Sequence, residues 1–180
     1  MSLVYVFLAD GFEEVEGLTP VDLLRRAGCR VVTVSIMGKK QITGSHQIEV
    51  GADILFEDME EEADLLVLPG GKMGTANLKA HKELAGLLTS QYEKGGLIAA
   101  ICAAPSVFEG LGFLKNRKAT SYPGCIGECT GEYLELPVVQ DDHVITSRGA
   151  GTAIPFALKL IEVLEGADKA EEIASTIIYK

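Results

Sequence analysis

The chain has 180 residues, 47% of them hydrophobic and 23% charged, with a formal net charge of −10. That length suits one domain that buries about 70% of its unfolded surface, so a core forms without disulfide or metal staples. The acidic balance repels phosphate backbones and anionic headgroups, and no apolar run reaches the roughly 18 residues of a membrane helix, which argues against nucleic-acid and membrane partners.

The opening MSLVYVFLADGFEE has no basic segment and meets Asp10 early, so it does not read as a signal peptide. A cytoplasmic setting with reduced thiols is the expectation. Cys29, Cys102, Cys125 and Cys129 form no CxxC and no disulfide framework.

In chain order, residues 3–9 (LVYVFLA) read as a buried strand. Thr19-Pro20 resembles an N-cap followed by proline at the first helical position, and the helical pattern stops at Gly28; a start near Glu13, with Pro20 inside, is the alternative. Residues 30–36 form the next strand, and residues 40–53 read as a hairpin turning at Gly44-Ser45. A third buried strand covers residues 65–68 and stops at Pro69-Gly70-Gly71. A helix over 82–93 ends at Gly95-Gly96, a strand follows at 97–101, and a short helix at 104–111. Residues 138–140 and 144–147 pair around Asp141-Asp142-His143; helices over 152–164 and 169–175 complete the chain. Strands alternating with helices imply a three-layer α/β sandwich around a mostly parallel sheet, in one domain over residues 1–180.

In open sheets of this kind, ligands bind beyond the carboxyl ends of the strands. Three segments there carry chemistry. Asp10 to Glu16 holds four acids in seven residues, Pro69-Gly70-Gly71 leaves backbone N–H groups uncovered, and Cys102 stands between a strand and a helix. Small neighbours, Ala103 and Ala104, permit a nucleophile elbow, and a helix N-terminus would favour the thiolate and lower its pKa. A free cysteine in an apolar stretch also fits a packed core, and an acidic run a solvated face. The coincidence of all three segments at one edge favours a site.

LPGG at 68–71, AAICAAP at 99–105, EEVE at 13–16, PVDLLRRAG at 20–28 and TSRGAGT at 146–152 together resemble the ThiJ/PfpI superfamily. The match covers nearly the whole chain and is closest to the branch of the parkinsonism-associated deglycase. The resemblance implies a flavodoxin-like fold, a homodimer, and no cofactor or metal. It makes Cys102 the reactive residue, Glu16 its partner, and the Gly71 and Ala103 N–H groups oxyanion donors. Gly70, Tyr122, His46 and Arg26 belong to the implied pocket, Arg26 by reaching across the dimer. Relatives carry histidine where this chain has Tyr122, and arginine where it has His46. Phenols titrate near 10, so Tyr122 is a poor base at neutral pH and a Cys-His-acid triad is unsupported.

Two functions follow from this resemblance. One is a cofactor-independent glyoxalase or deglycase acting on 2-oxoaldehydes or their adducts. The other is a redox-responsive stress protein or chaperone whose Cys102 is oxidised to sulfinate without turnover. The partner is a small carbonyl compound or an oxidant accordingly. Cys125 and Cys129, in GCIGECTG, make an incomplete zinc set, a resolving thiol pair, or ordinary loop residues.

Overall fold

The computed structural model describes residues 1–60, 62–128 and 130–179. The elements, in order, are β1 (Leu3–Leu8), α1 (Glu14–Arg26), β2 (Arg30–Ser35), β3 (Gln41–Thr43), β4 (Glu49–Gly51), β5 (Ile54–Leu55) and β6 (Leu65–Leu68). They continue with α2 (Lys72–Ala80), α3 (Lys82–Glu93), β7 (Leu97–Ile101), α4 (Pro105–Gly110), β8 (Lys118–Ala119) and β9 (Glu132–Tyr133). The chain closes with β10 (Val138–Asp141), β11 (Val144–Ser147), α5 (Ala153–Glu165) and α6 (Ala167–Thr176).

Seven strands form one sheet in the order β10-β11-β7-β6-β1-β2-β5, parallel throughout except for the β10–β11 pair. This is the flavodoxin-like three-layer arrangement. Its apolar strands lack polar alternation because both faces are covered. In β1, Val4, Val6 and Leu8 enter one core with α1, α5 and α6, while Leu3, Tyr5 and Phe7 enter the other with α2, α3 and α4. The same period of two divides β6, where Leu65 and Val67 face the first core and Leu66 and Leu68 the second. From β1 the chain runs outward to β2 and β5, then returns to β6 on the other side of β1. That reversal is the switch point where such sheets open a crevice.

The helix after β1 starts at Glu14, with Pro20 inside it, so the alternative start holds and Thr19 is not its cap. Glu13 caps the helix instead, its carboxylate accepting from the Val15 N–H at 3.2 Å. The hairpin is β3 against β4, with Gln41 opposite Gly51. Helix α2 has no hydrophobic stripe by which the sequence would show it. Its segment, KMGTANLKA, has one large buried apolar residue, Leu78, and packs through Gly74 and Thr75. A Cβ at Gly74 would lie 2.7 Å from the Phe12 Cα, so the close approach replaces a hydrophobic stripe. The two-residue strands β5, β8 and β9 are too short to leave a periodic signal.

Gly86, exposed on α3, has open space where a Cβ would stand. Gly86→Ala is expected to stabilise the fold by about 0.5–1 kcal/mol through helix propensity alone, readable as a higher midpoint in urea.

Candidate functional site

Cys102 follows the last residue of β7, and its φ of 65° is one that few non-glycine residues adopt. Two backbone hydrogen bonds hold that conformation: the Cys102 N–H donates to Ser147 at 3.0 Å, and its carbonyl accepts from the Tyr122 N–H at 2.8 Å. The elbow therefore points the thiol out of the sheet edge, half-buried. Such strain at a sheet edge is a mark of a site.

Glu16 comes from the first turn of α1 and is 1% exposed. Its carboxyl is hydrogen-bonded to the Cys102 thiol, and Oε2 accepts from the Gly70 N–H at 3.0 Å. The N–H groups of Gly71 and Ala103 also point at the Cys102 sulfur. Gly71 takes a φ of 89° at the N-cap of α2, a left-handed turn suited to glycine. Its Thr75 and Gly11 neighbours knit β1 to α2: Thr75 N–H donates to Gly71 at 2.8 Å and Gly74 N–H to Gly11 at 3.0 Å. Strand ends β1, β6 and β7 thus deliver Glu16, Gly70-Gly71 and Cys102 to one point.

Burial pushes the Glu16 carboxyl up to about 7, against the hydrogen bonds from Cys102 and Gly70. Burial, with the Glu16 charge and hydrogen bond, pushes the Cys102 thiol up to about 12, against the Gly71 and Ala103 donors. The expected lowering by a helix N-terminus is not met. Helix α4 has only six residues and starts at Pro105, and desolvation outweighs the backbone donors. The two titrations are coupled, so the part of the thiol shift that comes from the Glu16 charge is absent while Glu16 is protonated. A carboxyl near 7 is poised as an acid or base at neutral pH.

The thiol opens into a cavity of about 600 Å³ bordered by Ala103, Ser106, Tyr122 and Cys125. Its opposite wall is one face of α2: Lys72, Thr75, Ala76 and Lys79. Those four positions are spaced i, i+3, i+4 and i+7, the repeat of a helix face, and this was the signal available in GGKMGTANLKA. Tyr122 is 56% exposed at the cavity mouth.

His46 and Arg26 lie elsewhere in the single chain. His46 sits on the β3–β4 turn with its Nδ1 2.9 Å from Glu14 Oε2 and its N–H donating to Glu14 Oε1 at 2.7 Å. Burial opposes the Glu14 charge, yet His46 and Ser45 hold its pKa down to about 2. Glu14 in turn draws the His46 pKa upward. His46 therefore braces the first turn of α1, which carries Glu16, from outside the cavity. Arg26 forms an exposed ion pair with Asp22 one turn earlier on α1, at 3.0 Å. Asp142 pairs with Arg117 and His143 at the β10–β11 turn, as a hairpin turn would. Cys129 lies outside the described residues.

A family model described as the DJ-1/PfpI family matches residues 2–163. Protein dj-1beta of Drosophila melanogaster is 40% identical over 178 residues, covering 96% of this chain and 95% of that protein. A Caenorhabditis elegans protein named glutathione-independent glyoxalase DJR-1.2 is 34% identical, covering 89% of this chain and 87% of that one. The solved structure of oxidized Toxoplasma gondii DJ-1 superposes with a TM-score of 0.93 at 35% identity, covering 99% of this chain and 98% of that one. With the elbow cysteine, its glutamate and the sheet order all in place, the chain belongs to the DJ-1/PfpI family.

Proposed function

We propose that this protein is a cofactor-independent glyoxalase or deglycase acting on 2-oxoaldehydes or their adducts through Cys102 and Glu16. The observation that carries this reading is the Cys102 sulfur held by the Glu16 carboxyl and two backbone N–H groups at the floor of a cavity. Glu16 takes the thiol proton as the sulfur adds to the aldehyde carbon, giving a hemithioacetal. The Gly71 and Ala103 N–H groups are the donors for the oxyanion that forms. Glu16 then moves a proton from C1 to C2, the aldehyde carbon becoming a thioester as the ketone becomes an alcohol. Water releases the 2-hydroxy acid and restores the thiol. For an adduct, the same carbons are already joined to a thiol or amine, which departs. The glyoxalase name borne by the worm relative supports this class of reaction.

The reading includes a homodimer, without cofactor, in the cytoplasm. Half-exposed Val15, on α1 beside the site, is an apolar side chain that such pairing would cover. An antiparallel pairing of α1 with its copy would carry Arg26 of one chain toward Glu16 of the other.

The test is conversion of methylglyoxal to lactate without glutathione. Wild type is expected to turn over, and Cys102→Ser to lose at least about a thousandfold. Full activity in Cys102→Ser would end the proposal. A second reading is favoured by the same N–H groups, which suit the oxygens of a sulfinate. Stoichiometric gain of two oxygens at Cys102 with no turnover would select that stress-protective role.

A further inference from the structure

Cys125 lines the same cavity as Cys102, from the turn that buttresses the elbow. The Cys102 carbonyl accepts from the Tyr122 N–H at 2.8 Å, and the Tyr122 carbonyl accepts from the Cys125 N–H at 3.1 Å. Two hydrogen-bond steps thus join the backbones of the two cysteines. Gly124, next to Cys125, has a φ of 80° and open space where a Cβ would stand. Burial raises the Cys125 thiol above its ordinary value, and the positive charge of Lys79, on the wall of that cavity, offsets only part of this. Cys29 is different: it is 6% exposed and hydrogen-bonded to Glu165 at 3.5 Å, far from any strand end of the site.

We propose that Cys125 is a resolving thiol, so that this site also reduces peroxides through a Cys102–Cys125 disulfide. The inference rests on the reading of Cys102 as the reactive thiol. In the first step the Cys102 sulfur attacks one oxygen of a peroxide, ROOH. The O–O bond breaks, sulfur loses two electrons, and the alcohol ROH leaves with the proton that Glu16 supplies. In the second step the Cys125 thiolate attacks the Cys102 sulfenic acid. An S–S bond forms, the S–O bond breaks, and hydroxide takes a proton to leave as water. An external dithiol returns the pair to the reduced state with two electrons. Closing an S–S bond of about 2.05 Å requires the 122–125 turn to bring the Cys125 sulfur within bonding reach of Cys102.

The experiment treats wild type, Cys125→Ser and Cys125→Ala with an excess of hydrogen peroxide over protein, two oxidising equivalents being needed for each sulfinate, and maps non-reduced peptides by mass spectrometry. Wild-type monomer should become about 2 Da lighter, with the Cys102 and Cys125 peptides linked. Both variants should instead accumulate a dimedone-trapped sulfenic acid at Cys102, then gain about 32 Da there, roughly tenfold faster than wild type. Cys29 should stay unmodified throughout. Equal sulfinate formation in all three proteins, or a link from Cys102 to Cys129, overturns the assignment of Cys125. If Cys102 gains no oxygen in either variant, the reading of Cys102 as a reactive thiol falls as well, an outcome distinct from failure of the resolving step.

Discussion

Glu16→Gln is expected to make the protein more stable than wild type above pH 7 while lowering turnover at least about a hundredfold. The reason is the direction of the Glu16 shift. Its pKa is raised from 4.5 to about 7 in the folded protein. Below pH 4.5 both folded and unfolded chains hold the proton, and stability is unaffected. Between 4.5 and 7 only the folded chain holds it, so stability falls as pH rises, and above 7 the whole penalty is present. At 1.36 kcal/mol per pKa unit, that penalty is at most about 3 kcal/mol. Glutamine keeps the volume and can still accept from the Gly70 N–H, but it carries no charge and moves no proton. The measurement is the melting temperature of both proteins at pH 5 and pH 8. At roughly 2–4 °C per kcal/mol, glutamine should gain several degrees at pH 8 and little at pH 5. Equal melting curves at both values would show that Glu16 is not strained in its ionised form. Alkylation of Cys102 against pH in the two proteins reports the same coupling from the sulfur side.

Gly70→Ala should remove nearly all activity at a smaller expense in stability. A Cβ at position 70 would stand 2.4 Å from Glu16 Oε2, 2.6 Å from the Cys102 Cβ and 2.8 Å from the Ile101 carbonyl oxygen. Real Cβ atoms do not approach that closely, so the pair must separate or the strand end must shift. Overpacking of this kind costs about 1–3 kcal/mol. Displacement of a reacting group by about 1 Å costs about a hundredfold in rate. The expected result is a folded protein, with near-native circular dichroism, that turns over methylglyoxal at least about a hundredfold more slowly. Wild-type turnover in Gly70→Ala would show that Glu16 and Cys102 need not touch for the reaction.

The strands of the sheet were legible because each is a short, wholly apolar run between glycine or proline stops, as in LVYVFL and LLVL. Cys102 was legible because small residues on both sides mark an elbow, and Glu16 because the family motif supplies it. The helix wall of the cavity was not. Its residues are small or basic, and Leu78 alone signals burial, so hydrophobic periodicity passes over α2 and with it Lys72, Thr75, Ala76 and Lys79. His46 falls on the far side of Glu14 because the β3–β4 turn, and not the sheet edge, sets its place. The direction of the thiol pKa was not legible for a related reason: sequence reveals a helix start, whereas the desolvation that outweighs it arises only once three segments close around the sulfur.

The split between the reacting atoms and the wall opposite them has an evolutionary consequence. Cys102 and Glu16 hang on strand and helix ends locked by backbone hydrogen bonds, whereas Lys72, Thr75, Ala76 and Lys79 occupy a single stripe of one helix. On the proposed reading, drift along that stripe alters which carbonyl compound is accepted and leaves the chemistry intact. Paralogues of this chain would then diverge in diet before they diverge in reaction.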